Sequence, residues 1–176
     1  MKAIFEVINR MQSEEVIGRY AIGGAVGATF YLEPLATLDV GICVSLGSHP
    51  ESSLVTLAPI YDYLTSRGYI ADKEYLVIEG WPVQFLSPAD ALDEEAVKEA
   101  VETEVDGVRT WVITAEHLAA IALRTGRAKD FARILQFIES GVLDPGRFDS
   151  ILRRHGLLEK LEHFEVKFLG DADQSG

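Results

Sequence analysis

One cysteine in 176 residues, Cys43, leaves no intramolecular disulfide and fits a reducing compartment, so a cytoplasmic location is expected. No apolar run approaches the roughly 18 residues that a membrane-spanning helix needs, so no membrane partner is expected. The first residues lack the charged-then-apolar order of a secretory signal, because Glu6, Asn9 and Arg10 interrupt it. Basic residues are scarce too: 16 Lys and Arg against 28 Asp and Glu leave a net charge of -12. General nucleic-acid binding, which needs basic surface to displace counterions, is therefore not expected, although a local basic pocket is compatible with this balance. No internal repeat or interdomain linker is visible.

What is present suits a globular protein. A hydrophobic content of 48% and a charged content of 25% are ordinary, and the length allows one domain with a small helical appendage. An amphipathic helix is expected over 2–17, with Ile4, Phe5, Ile8 and Met11 along its stripe and Gly18 ending it. Ser48-His49-Pro50-Glu51 reads as a capping box opening a helix that runs to about Arg67, kinked by Pro59. His49 reads as a first-turn residue. Tyr75–Glu79 and Pro82–Leu86 read as a hairpin around Gly80-Trp81, with Val77 facing Gln84. Ser87-Pro88-Ala89-Asp90 starts a helix through Leu92, Ala96, Val97 and Ala100, with an acidic outer face. A second hairpin over 102–113 turns at Asp106-Gly107. Helices are then expected over 115–125 (with His117 a partly buried histidine), 128–140, from Asp144-Pro145 to near Gly156, and over 157–163. Residues 170–176 read as a mobile polar tail.

Residues 20–45 carry the most chemistry. Gly23-Gly24 follows a strand start, and glycine, lacking Cβ, lets a ligand come close to the backbone. The apolar run 25–32 follows and Pro34 closes it. Alternation along 38–45 sends Leu38, Val40, Ile42 and Val44 to the core. Asp39, Gly41, Cys43 and Ser45 then share the other face, a small open surface with one carboxylate at its head. Cys43 reads as a small packing residue rather than a nucleophile.

A glycine pair, about a dozen residues, then Asp39 on a strand resembles the polymerase-β-type nucleotidyltransferase superfamily. Among its members the similarity is to the small bacterial AbiEii-like (abortive-infection toxin type) proteins. The resemblance implies an α+β fold, a mixed sheet flanked by helices with a C-terminal helical bundle. It implies a core over 1–113, a helical region over 114–169 and the tail. In that family the glycine pair grips nucleotide phosphates, and two aspartates one residue apart join a third carboxylate to hold two divalent metals. Hard cations need such oxygen donors on one face. Here the second aspartate is replaced by Gly41. Gln84 is expected at the third position, with Glu79 diagonally beside it as a second ligand or else a solvated residue before a turn. Mg²⁺ binding is therefore expected to be weak or absent.

Arg124, Arg127, Lys129 and Arg133 cluster in this acidic chain, and Arg127-Ala128-Lys129-Asp130 resembles an Arg-x-Lys-Asp segment of the same family. By that resemblance Lys129 faces the triphosphate and Asp130 orients it or braces the helix. The alternative is that Asp130 caps the helix or pairs with Arg127 or Arg133. Two functions follow. One is transfer of a nucleotidyl group from a nucleoside triphosphate to a hydroxyl of unnamed identity, with Asp39 holding the metal. The other is a degenerate domain of the same fold that binds a nucleotide or a protein partner. Family analogy adds a toxin–antitoxin role.

Overall fold

The computed structural model describes residues 1–33, 39–46 and 56–170. In chain order the elements are α1 (Lys2–Ser13), β1 (Tyr20–Ile22), α2 (Gly24–Ala28), β2 (Val40–Val44) and α3 (Ala58–Thr65). Next come β3 (Ile70–Asp72), β4 (Tyr75–Ile78), β5 (Trp81–Leu86), α4 (Ala91–Lys98), β6 (Val101–Val105) and β7 (Val108–Val112). Four helices complete it: α5 (Ala115–Thr125), α6 (Ala128–Ser140), α7 (Pro145–Arg154) and α8 (Leu158–Phe168). The chain divides into two compact units, Met1–Thr114 and Ala115–Gly176. None of the described helices is long and apolar enough to cross a membrane.

All the strands of the first unit form one sheet in the order β3-β4-β5-β2-β1-β7-β6. It is mixed: β2 runs antiparallel to β1 and parallel to β5, while β1 runs parallel to β7. Alternation explains the buried face, since Val40, Ile42 and Val44 of β2 are all buried beside Val83 and Phe85 of β5. The apolar stripe of α1 joins them, with Ile4, Phe5, Ile8 and Met11 fully buried in the same cluster.

Several boundaries differ from expectation. Helix α1 stops at Ser13 rather than near Ile17, because Glu15 takes a left-handed φ of 58° and Val16 N–H turns back to the Met11 carbonyl. Pro59 lies in the first turn of α3 instead of kinking a longer helix, where its missing N–H costs nothing. The capping box at 48–51, His49, Pro34, Leu38 and the tail beyond 170 lie outside the described residues. Helix α8 extends to Phe168, past the expected end at His163. The Asp144 cap occurs as expected, its side chain accepting from the Arg147 N–H, whereas the helix expected from Ser87-Pro88 starts only after Asp90, whose side chain accepts from the Leu92 and Asp93 N–H groups.

Tyr20 joins helix to sheet. Its ring is 2% exposed, and its hydroxyl donates to Asn9 Oδ1 at 2.7 Å and also bonds Thr110 Oγ1 at 3.1 Å. Burial pushes its phenol from 10.0 up to about 12, with the Thr110 hydroxyl pulling the other way. Between those values the unfolded chain releases a proton that the folded chain keeps, so stability falls as pH rises. The loss should approach roughly 2 to 3 kcal/mol by the upper end of the window. Urea denaturation stepped from neutral to alkaline pH should show this slope in the native chain and not in Tyr20→Phe.

Candidate functional site

Strand β1 ends at Ile22, and the chain enters the glycine pair. Gly23 N–H donates to the Gly41 carbonyl at 3.0 Å, so the pair begins beside the middle of β2. Gly24 has φ +60°, a left-handed backbone that glycine adopts without strain, and it is exposed at the start of α2. Gly23 is packed instead: a Cβ there would meet Ile113 Cδ1 at 3.2 Å. The Gly23 N–H is thus taken up by β2, and Gly24 is the glycine of the pair whose backbone is exposed beside it.

Gly41 is registered with Gln84 on β5, so Gly23, Gly41 and Gln84 form one row across three strands. Asp39 immediately precedes β2, two residues before Gly41 and therefore on its face of the sheet. Both Asp39 and Gln84 are half-buried. The Tyr75 phenol borders this face; desolvation, and then the negative charge of Asp39, push its pKa upward. Cys43 is half-buried on the same face, registered with Leu86.

The hairpin register differs from expectation by two residues. Val77 pairs with Pro82 and Ile78 with Trp81, so the turn residues are Glu79 and Gly80, with φ of 51° and 82°. This is a tight two-residue turn with both central residues left-handed. Continuing the register places Tyr75, not Val77, opposite Gln84. Glu79 leaves the ribbon at the turn, exposed, and its Oε1 accepts from the Tyr69 hydroxyl at 3.2 Å.

Near-octahedral Mg²⁺ coordination draws on carboxylate oxygens and phosphates. Among the described residues of the row and its flank, the donors are one carboxylate (Asp39), a position without a side chain (Gly41) and a neutral amide (Gln84). That set does not fit a two-metal centre.

The basic cluster belongs to the second unit. Asp130 is 1% exposed at the start of α6, and Arg127 surrounds it. Arg127 Nε and Nη2 donate to its two oxygens at 2.6 and 3.1 Å, and the Arg127 backbone N–H donates at 3.2 Å. Arg133, its side chain 11% exposed, lies 3.7 Å from Asp130 Oδ1. Binding to the carboxylate holds the Arg127 guanidinium above its usual range, whereas burial lowers that of Arg133 despite the same carboxylate. Of the two expectations for Asp130, bracing the helix by pairing describes these contacts. Lys129 is exposed on the first turn of α6. His117 is fully buried in α5.

Sequence reasoning overlooked Glu116, a buried carboxylate of α5 whose Oε1 accepts from Asp144 N–H at 2.9 Å and ties the start of α7 to α5. No sequence spacing marks that contact.

Compared by sequence, the chain matches no protein-family profile and no curated protein. Compared by structure, it is similar to an antigenic nucleotidyltransferase-like protein from Paracoccidioides brasiliensis, with a TM-score of 0.67 and 13% identity. That similarity covers 96% of this chain and 88% of the other. The antibiotic-resistance factor ANT(2'')-Ia also matches, over 92% of this chain and 97% of its own, at 13% identity and a TM-score of 0.48. Taken with the mixed sheet and its flanking helices, the first of these likenesses shows a nucleotidyltransferase-like fold.

Proposed function

We propose that the chain is a nucleotide-binding module on a nucleotidyltransferase-like fold, with metal-assisted transfer weak or absent. The observation that carries this reading is the row Gly23–Gly41–Gln84: of the three metal-ligand positions that the resemblance marks, Asp39 has a carboxylate and Gly41 and Gln84 do not. The exposed backbone of Gly24 suits a phosphate oxygen, and in the second unit the exposed ammonium of Lys129 is a compact charge of the kind that pairs with phosphate. Arg127 and Asp130 hold the turn from which Lys129 projects. Without a second and third carboxylate, the charge that develops in phosphoryl chemistry has no pair of cations to neutralise it.

Calorimetric titration of ATP, GTP, CTP and UTP, each with and without Mg²⁺, tests this directly. Binding should persist without Mg²⁺ and survive in Asp39→Ala with less than about a tenfold loss. Metal-dependent binding and turnover that vanish in Asp39→Ala would replace this reading with an active transferase. No binding of any nucleotide would leave a protein-interaction scaffold.

A further inference from the structure

The second unit contains a groove of about 250 Å³ with an aromatic floor. Phe131 of α6 meets Phe164 and Phe168 of α8 at ring-centroid distances of 5.8 and 5.3 Å, and those two lie 5.0 Å apart. Phe164 is buried, but Phe168 remains 38% exposed. Lys160, His163 and Lys167 complete the lining.

The charge around α8 is segregated by the helical period. At about 100° per residue, Lys160, His163, Phe164, Lys167 and Phe168 share one side. Glu159, Glu162 and Glu165 occupy the opposite side, and none of them lines the groove. In a chain of net charge -12, one groove thus carries three basic groups and no carboxylate. Lys167 Nζ lies 5.1 Å from the Phe168 ring centroid and has no carboxylate partner among the described residues. Lys160 Nζ donates to the Arg124 carbonyl at 2.8 Å, which fixes its position at the rim, and it has no carboxylate partner among the described residues. His163 Nδ1 bonds the Glu159 carbonyl at 2.7 Å, leaving Nε2 as the ring's other polar atom.

We propose that this groove docks an acidic segment of a partner protein, with an apolar side chain on the phenylalanine floor and flanking carboxylates on Lys160 and Lys167. Charge complementarity selects this occupant. A broad anionic surface such as a membrane or a nucleic acid would also meet Glu159, Glu162 and Glu165 and be repelled. A short segment lying in the groove meets only the cations. Its carboxylates would gain from bonds to charged donors, and its apolar anchor from burying ring surface. The inference is independent of the nucleotide reading, since it uses no residue of that site.

The test is fluorescence anisotropy of the full chain with a fluorescein-labelled peptide, Gly-Asp-Asp-Leu-Phe-Asp-Asp, and its counterpart with every Asp replaced by Asn. The acidic peptide should bind saturably, and the Asn peptide about tenfold or more weaker. Lys167→Glu, at an exposed position whose variant should melt as the native chain does, should weaken the acidic peptide about tenfold. Equal affinity for the two peptides, or an unchanged affinity in Lys167→Glu, would overturn the proposal. So would a concentration-dependent dimer in sedimentation that Phe168→Asp dissolves, because a second copy would then occupy the groove.

Discussion

Replacing Asp130 with alanine should cost the chain about 3 to 5 kcal/mol, the loss that follows when one partner of a buried ion pair is removed. The carboxylate is 1% exposed and collects three hydrogen bonds from Arg127. Its removal leaves the guanidinium of Arg133, 11% exposed, as a mostly buried charge with no other carboxylate partner among the described residues. Arg127 carries less of the effect. Its side chain is 58% exposed, so water can replace the carboxylate there, but Arg127→Ala strips two of the three bonds from the buried Asp130 and should cost about 1.5 to 3 kcal/mol. The decisive comparison is Asp130→Ala with Arg133→Met, which removes both buried charges and should restore most of the loss. Urea denaturation of the three variants and the native chain measures all of this. If Asp130→Ala costs less than about 1 kcal/mol, or the double variant is no better than the single, the carboxylate does not hold α6 in place as argued.

The second large effect should come from rebuilding a metal site. Gly41→Asp combined with Gln84→Glu should tighten Mn²⁺ binding by about a hundredfold or more over the native chain. Space permits it: a Cβ at Gly41 would find its nearest neighbour, the Gly23 carbonyl oxygen, at 3.8 Å, an ordinary contact. Gln84→Glu changes charge with almost no change of shape. The register places the new carboxylates side by side on adjacent strands, with Asp39 two residues away on the same face. Without metal, three like charges should repel and lower the melting temperature. Mn²⁺ should restore it, with stabilisation growing as the logarithm of its concentration over Kd and reaching about 2.7 kcal/mol at a hundredfold excess over Kd. A melting curve that Mn²⁺ leaves unmoved in the double variant would mean that Gly41 and Gln84 do not mark metal positions.

The reach of the sequence can be judged residue by residue. The alternation of Val40, Ile42 and Val44 was legible because one face of β2 is fully buried, so hydropathy and geometry share the same period. Asp144 was legible as a cap because that signal is local, an acceptor three residues ahead of an orphan N–H group. Gly41 and Gln84 were both assigned to one face, but the pairing between them depends on a parallel strand forty-three positions away. Glu79 was misplaced because glutamate seldom takes a left-handed backbone, and the turn was expected at Gly80-Trp81 instead. Strand β3 went unread, since three residues are too few to show an alternation and all three are exposed. The groove on α8 was invisible as such: the helical period sorts its charges, but only tertiary packing brings Phe131 to Phe164 and Phe168.

The strand order also constrains how the sheet can be built in time. Strand β1 lies between β2 and β7, and its link to β7 joins residues as far apart as Tyr20 and Thr110, a separation of 90. Its tyrosine hydroxyl and its parallel pairing therefore have to wait until almost the whole first unit is made. Until then one edge of β1 presents unpaired backbone groups, and Ala21 and Ile22 beside them are wholly apolar. A growing chain released from the ribosome before β7 would expose that edge to other chains. Long-range parallel closure of this kind is slow, because the entropy of the loop is lost before the contacts form. The first unit should therefore refold late and in one step, with β7 as the strand that completes it.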